Sequence, residues 1–194
     1  MTAYYSQLEL AIFKVLNFDG GPFLDGFFTV VTDKWFGIAL GLLAALWIAW
    51  QKRWDVLRFL AVLILAIGLT DFIGSYFLKP FFGRMRPCYA LAEGSFRWIV
   101  RASDVGALPS LHSANLFAWA YIVFRADKRL TIPAYILAAL VAYSRIYVGV
   151  HWPTDTLAGA AWGTAMAMLF WWLSGLVAGA IKRKREKRAD LESQ

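Results

Sequence analysis

The chain has two histidines, His112 and His151, and both stand among residues suited to phosphate chemistry. Three clusters hold them. The first runs from Lys79 to Arg86-Pro87, the second is Pro109-Ser110-Leu111-His112-Ser113, and the third runs from Ser144-Arg145 to His151-Trp152-Pro153-Thr154-Asp155. Lys79, Arg86 and Arg145 offer charge-dense donors, and a guanidinium can bind two oxygens of one phosphate at once. A single such cation commonly snorkels to a lipid interface, but three beside both histidines point to an anion site. His151 and Asp155 stand four residues apart across a helix start that Pro153 favours. There the carboxylate can accept one imidazole N–H and fix the tautomer, leaving the other nitrogen free to attack. His112 suits a general acid, since imidazole titrates near neutrality. Ser110 reads as an N-cap, so the backbone N–H groups of Leu111, His112 and Ser113 would face outward and attract an anion. Capping alone is the plainer role for Ser110, and the two are compatible. Glu93, Asp104 and Asp155 are too scattered for a magnesium site, and one Cys with two His gives no zinc spacing. The expectation is chemistry with no metal and no cofactor, arginines stabilising a pentacoordinate phosphorus.

Alternating membrane crossings are what would bring the three clusters to one face. Sixty per cent of the 194 residues are hydrophobic, with 10 Trp, against about 45–50% in soluble domains. Val56–Leu78, Thr131–Gly149 and Leu157–Ile181 are long enough to span. Ser113–Phe124 is short but extends back to its cap at Ser110. Phe23–Trp50, interrupted by Asp33 and Lys34, is either one long helix or a short helix before a span at about Trp35–Trp50. Tyr4–Leu16 has apolar residues at helical spacing and reads as an amphipathic helix in the interface, followed by a turn at Asn17-Phe18-Asp19-Gly20-Gly21-Pro22. The fold class is therefore all-α: a polytopic transmembrane bundle of five to six helices with an N-terminal interfacial helix. Residues 1–194 form a single domain, with the interfacial helix and turn over 1–20 and a basic tail over 182–194. Met1-Thr2-Ala3-Tyr4-Tyr5 lacks the features of a signal peptide and is expected to be retained.

Charge orients the bundle. Eleven basic residues (Lys52, Arg53, Arg125, Lys128, Arg129 and six in the tail Lys182–Arg188) fall on one side, which should be cytoplasmic. The other side carries Lys79, Arg84, Arg86, Arg97, Arg101 and Arg145, and with them the three clusters. The net charge of +7 does not imply nucleic acid, because no groove-reading element accompanies the tail. The tail instead fits anionic lipid. Cys88 reads as a buried small hydrophobe, Phe81, Phe82, Trp98 and Trp152 as interface anchors, and Asp71 as a carboxylate needing a partner inside the bundle.

The three clusters resemble the signature of the type 2 phosphatidic acid phosphatase family, which also includes soluble acid phosphatases and vanadium haloperoxidases. The first and third match its pattern in full, as Lys79 to Arg86-Pro87 and as Ser144-Arg145 to His151 and Asp155. The second differs, reading Pro-Ser-Leu-His with Leu111 at the usual glycine. The resemblance implies His151 as the nucleophile forming a phosphohistidine, Asp155 as its orienting carboxylate and His112 as the acid. It implies Lys79, Arg86, Ser110 and Arg145 as phosphate ligands, with the Leu111 backbone N–H. It further implies a lipid phosphatase of the bacterial plasma membrane, its site facing the periplasm, acting on a lipid phosphate within the bilayer. Undecaprenyl diphosphate is the first substrate by this analogy, with phosphatidylglycerophosphate and lipid A 1-phosphate as competitors. A lipid phosphotransferase, suggested by Leu111, and a non-enzymatic lipid carrier are the readings of other classes.

Overall fold

A computed structural model describes residues 5–51, 55–103 and 106–192, whose regular secondary structure is helical with no strand among them. Lys52, Arg53, Asp104 and the first four residues, including Tyr4, lie outside the described residues. Helix α1 (Gln7–Leu16) is capped by Ser6, whose side chain accepts from Glu9 N at 3.0 Å. It is amphipathic: Leu8 and Val15 are exposed while Phe13 and Glu9 are buried. Helix α2 (Gly21–Thr32) has Pro22 in its first turn, and α3 (Lys34–Gln51) follows. Between them Asp33 is extended and its side chain accepts from Trp35 N at 2.8 Å. Of the two readings of Phe23–Trp50, the short helix before a span is the one adopted, because Asp33 ends one helix and caps the next.

Helix α4 (Asp55–Ile73) passes through a wide π-helical turn at Gly74–Leu78 into the short α5 (Lys79–Phe82). Gly83, at φ 53°, turns the chain out of that helix. The stretch Lys79–Pro109 thus carries α5 and the short α6 (Pro87–Ala90). Helix α7 (Leu111–Ala126) is followed by α8 (Thr131–Tyr147) and α9 (Pro153–Glu192). At 40 residues α9 is about 60 Å long, twice a hydrocarbon core of about 30 Å. It continues through the basic run that composition alone marks off as a tail.

Among the described residues, four helical stretches are long and apolar enough to cross a membrane: Lys34–Gln51, Val56–Ala90, Lys128–Tyr147 and Pro153–Leu191. The 16 residues of α7 reach only about 24 Å. That suffices because α7 is the centre of the bundle, packed by α4, α8 and α9, with Ala114, Ala118, Ala120 and Ile122 wholly buried. The outward faces are apolar, as at Leu43, Leu46, Trp172 and Leu176, which suits lipid.

Two glycines one turn apart on α9 bring that helix into backbone contact with α7. A Cβ added at Gly159 would lie 2.3 Å from Ser110 O, and one at Gly163 would lie 1.8 Å from Ala114 O. These are backbone atoms, so no side-chain adjustment relieves the clash, and small residues permit the approach as they do between membrane helices generally. The contact fixes the start of α9 against the start of α7, where the third and second clusters meet. Gly163→Leu should therefore cost about 3 kcal/mol, the upper end for overpacking, or prevent folding. Gly179→Leu, a position with open space around it, should be tolerated. Thermal unfolding of both variants in detergent checks the contrast.

Candidate active site

The histidine of the third cluster is presented by a turn that only glycine permits. Gly149 has φ 81°, and a Cβ there would lie 2.1 Å from Arg97 O. His151 follows in the short connection between α8 and α9, fully enclosed, with its backbone N–H bonded to Arg145 O at 3.2 Å. Its ring has an acceptor on one side and a donor on the other. Nδ1 lies 3.4 Å from Asp155 Oδ2, and Nε2 lies 2.8 Å from an Nη of Arg86. A guanidinium can only donate, so Nε2 must present its lone pair and Nδ1 must carry the proton toward Asp155. The geometry thus selects one neutral tautomer. Burial pushes the His151 pKa well below the usual imidazole value, and the nearby positive charges of Arg86, Arg145 and Lys79 push the same way.

Asp155, in the first turn of α9, is held at every side. Its Oδ2 accepts from Trp152 N at 2.9 Å and its Oδ1 from Arg84 Nη1 at 2.7 Å, while its carbonyl accepts from Ser110 N at 2.9 Å. That last bond ties the second cluster to the third. Arg84 also reaches Glu9 and Thr154, and Glu9 accepts from the backbone N–H and the hydroxyl of Thr154. Helix α1 is in this way latched to the start of α9. Tyr5 stacked on the buried Trp152 and Phe13 tilted against it complete the latch, with ring centroids 4.5 and 5.2 Å from that of Trp152. Trp152 is therefore a core residue, whereas Phe81, Phe82 and Trp98 are exposed as interface anchors would be.

One cavity of about 1260 Å³ receives Lys79, Arg86, Leu111, His112, Arg145 and His151 on its walls. Lys79 stands at the start of α5, Arg86 at the N-cap position of α6, and His112 in the first turn of α7. Arg145 is in the last turn of α8, aimed by a bond from its Nη1 to Thr32 Oγ1 of 2.5 Å. Asp155 stands behind His151, outside the lining. Ser110 is also outside it, wholly buried, with its hydroxyl 3.5 Å from Ser113 N in the capping position. Leu111, the departure in the second motif, is accommodated by the π turn: its Cδ2 lies 2.4 Å from where a Cβ on Gly74 would be. A glycine there lets leucine occupy a place that would otherwise be filled.

Sequence reasoning missed Glu9, Arg84 and Thr32, the residues that aim the site rather than face it. It also missed Asn17, read only as part of a turn. The Asn17 side chain bonds Arg97 N, Arg97 O and Tyr147 O within 3.0 Å, stapling the end of α8 to the preceding loop. Arg97, counted among the outer cations, does not face the cavity but pairs with Asp25 at 2.6 Å.

The family model described as the PAP2 superfamily matches residues 55–177, a stretch containing all three clusters. The chain belongs to the PAP2 superfamily. It is 32% identical to the lipid A 4′-phosphatase of Porphyromonas gingivalis, over 82% of this chain and 70% of that relative. It is 26% identical to an undecaprenyl-diphosphatase of Sulfolobus acidocaldarius, over 83% and 76%. Its fold matches the crystal structure of Aquifex aeolicus LpxE with a TM-score of 0.71, at 28% identity, covering 88% of this chain and 99% of that one. The protein is a multi-pass membrane member of this phosphatase superfamily.

A chain with two histidines allows a direct test of the His151 tautomer. In untagged, nitrogen-15-labelled His112→Asn protein, the one remaining imidazole should stay neutral, protonated at Nδ1, as the pH is lowered from 8 through the ordinary imidazole range of about 6.5. Acid must protonate a lone pair already held against a guanidinium, so the titration moves to lower pH. A midpoint near 6.5 would show that the lone pair is not held.

Proposed function

We propose that the protein is a lipid phosphatase working through a phosphohistidine on His151. The observation that carries the reading is the lone pair of Nε2, held between an orienting carboxylate and a phosphate-binding guanidinium at the cationic end of the cavity. Phosphate entering among Lys79, Arg86 and Arg145 takes over the Arg86 donors and exposes Nε2 to phosphorus. The negative charge of the entering phosphate offsets the three cations and lets His112 take up a proton. The new N–P bond then forms as the bond from phosphorus to the leaving oxygen breaks, and His112 gives that oxygen the proton. His112, now neutral, takes a proton from water, which attacks phosphorus and releases inorganic phosphate and free His151. The cations neutralise the charge that develops on the phosphoryl oxygens, so the reaction proceeds without a metal. The backbone N–H of Leu111, at the capped start of α7, adds a donor, while Ser110 acts by forming that cap.

The substrate is a lipid because the same cavity continues from the cations into an apolar lining that includes Leu42, Leu60 and Ile64. A phosphomonoester of the lipid A kind is the first reading, supported by the lipid A 4′-phosphatase relative. Undecaprenyl diphosphate, first by sequence analogy, is the second, supported by the undecaprenyl-diphosphatase relative. The excess of basic residues at the opposite end of the bundle supports a site at the periplasmic face of the bacterial plasma membrane and a cytoplasmic C-terminus. The exposed run Lys182–Arg188 of α9 then meets anionic lipid.

Phosphate release from lipid A, phosphatidylglycerophosphate and undecaprenyl diphosphate, measured in detergent with EDTA, tests this reading. The wild type should turn over with EDTA present, His151→Ala should show no turnover, and His112→Ala should lose about 10²–10⁴-fold. Release that occurs only when an acceptor lipid is added would identify a phosphotransferase instead. Retention of activity in His151→Ala would remove the nucleophile assignment.

A further inference from the structure

The polarity of the cavity changes with depth in a way that separates kinds of lipid. On α4 and the turn after it, the wall reads Lys79, Ser75, Asp71, then Ile67, Ile64 and Leu60, at the spacing of one helix face. With about 1.5 Å of rise per residue, Ser75 lies about 6 Å and Asp71 about 12 Å beyond Lys79. On α7 the wall reads His112, Asn115, then Leu116 and Trp119. The two helices agree on three zones. There is a cationic mouth, a polar band at Ser75, Asp71 and Asn115, and then hydrocarbon. On α3 the facing positions include Gly37 and Gly41, and on α4 Gly68, which leave the deeper zone wide.

The polar band offers acceptors in the Asp71 carboxylate, the Asn115 carbonyl and the Ser75 hydroxyl, the last of which can also donate. Asn115 Nδ2 donates to Asp71 Oδ1 at 3.0 Å, which supplies the bundle partner that Asp71 needs. The Asn115 carbonyl oxygen is buried with no hydrogen-bond partner among the described residues. A carboxylate within a membrane bundle is costly and is kept for a polar partner or a pathway. A lipid whose hydrocarbon begins directly behind its phosphates would press apolar chain against this band and leave it unsatisfied. A lipid with hydroxyl or amide groups on the backbone that carries the phosphate would satisfy it.

Resting on the lipid phosphatase reading, we propose that Asp71, Asn115 and Ser75 form a specificity band that binds hydroxyl or amide N–H donors of the lipid backbone one to two helical turns behind the phosphate. The substrate class is then a phosphorylated saccharolipid or glycerolipid, and polyprenyl diphosphates are discriminated against. The phosphate end is common to all these lipids. The band reads the backbone attached to that phosphate, as a site built to hydrogen-bond a substrate rejects analogues that lack the group.

The test is kcat/KM in detergent for lipid A, phosphatidylglycerophosphate and undecaprenyl diphosphate, in wild type, Asp71→Leu and Asp71→Asn. The wild type should prefer a donor-bearing lipid, and comparing the first two lipids shows whether the sugar or the glycerol backbone fits. In Asp71→Leu the preference for that lipid over undecaprenyl diphosphate should fall roughly 10- to 100-fold, the range for a hydrogen bond to a charged group, chiefly through KM. Asp71→Asn, which keeps an acceptor oxygen, should fall between. Using the ratio removes any loss from a poorly folded variant. An unchanged ratio in both variants, or undecaprenyl diphosphate as the best wild-type substrate, overturns the band while leaving the phosphatase intact. No phosphate release from any lipid by the wild type overturns both.

Discussion

Lys79, Arg86 and Arg145 are buried together against one cavity, each with at most 7% of its surface exposed, and everything else in the protein serves to keep them there. Buried like charges repel and have lost most of their hydration, which is unfavourable unless an opposite charge is supplied. The protein holds them by anchoring each to a different helix end: α5, α6 and α8. A bundle with α7 locked to α9 through backbone contacts at Gly159 and Gly163 resists the outward relaxation that repulsion would otherwise drive. In the proposed mechanism an arriving phosphate relieves the repulsion, and the fixed donors stay aimed at the oxygens over which its charge is spread in the transition state. On that mechanism the cost of building the site would be turned into selective binding of the reacting group.

The same field acts on His151, the proposed nucleophile. A histidine among three cations is held neutral, and the remaining choice is which nitrogen carries the proton. Asp155 and Arg86 make that choice from opposite sides of the ring. Asp155 keeps its position because Arg84, the Trp152 N–H and its own helix all hold it, and Arg84 is in turn held by Glu9 from the amino-terminal helix. A helix with an apolar outer face is thus mechanically joined to the carboxylate that orients His151.

The residues facing the cavity were largely legible in the sequence, because chemistry restricts them to a few types at spacings set by local helix ends. His151 and Asp155 lie within about one helical turn, and Ser110 caps the helix that carries His112. The spans were legible for the same reason, since an apolar run of sufficient length has few alternatives. What was not legible depends on contacts between distant parts of the chain. Glu9 meets Arg84 across 75 residues and Asn17 meets Tyr147 across 130, and neither has a local signature. Trp152 read as an interface anchor because its composition suits one, and only the packing of α1 over it shows that it is core. The break at Asp33 could be read either way because an Asp can cap a helix or sit at an interface. The tail read as a tail, yet its helix runs on, since a run rich in Lys, Arg, Glu, Ala and Leu with no Gly or Pro favours helix, and Lys182 pairs with Glu186 one turn on.

The mechanism depends most directly on a phosphoryl group bonded to His151. Enzyme mixed with its preferred lipid, labelled in the phosphate with phosphorus-32, and quenched in base within the first turnover should carry label that is stable to base and lost in acid. Peptide mapping should place the label on the fragment holding His151. The label should be absent in His151→Asn and should persist longer in His112→Asn, where water is no longer activated. A wild-type enzyme that releases phosphate with no such label, or a label that remains when His151 is replaced, would contradict the mechanism.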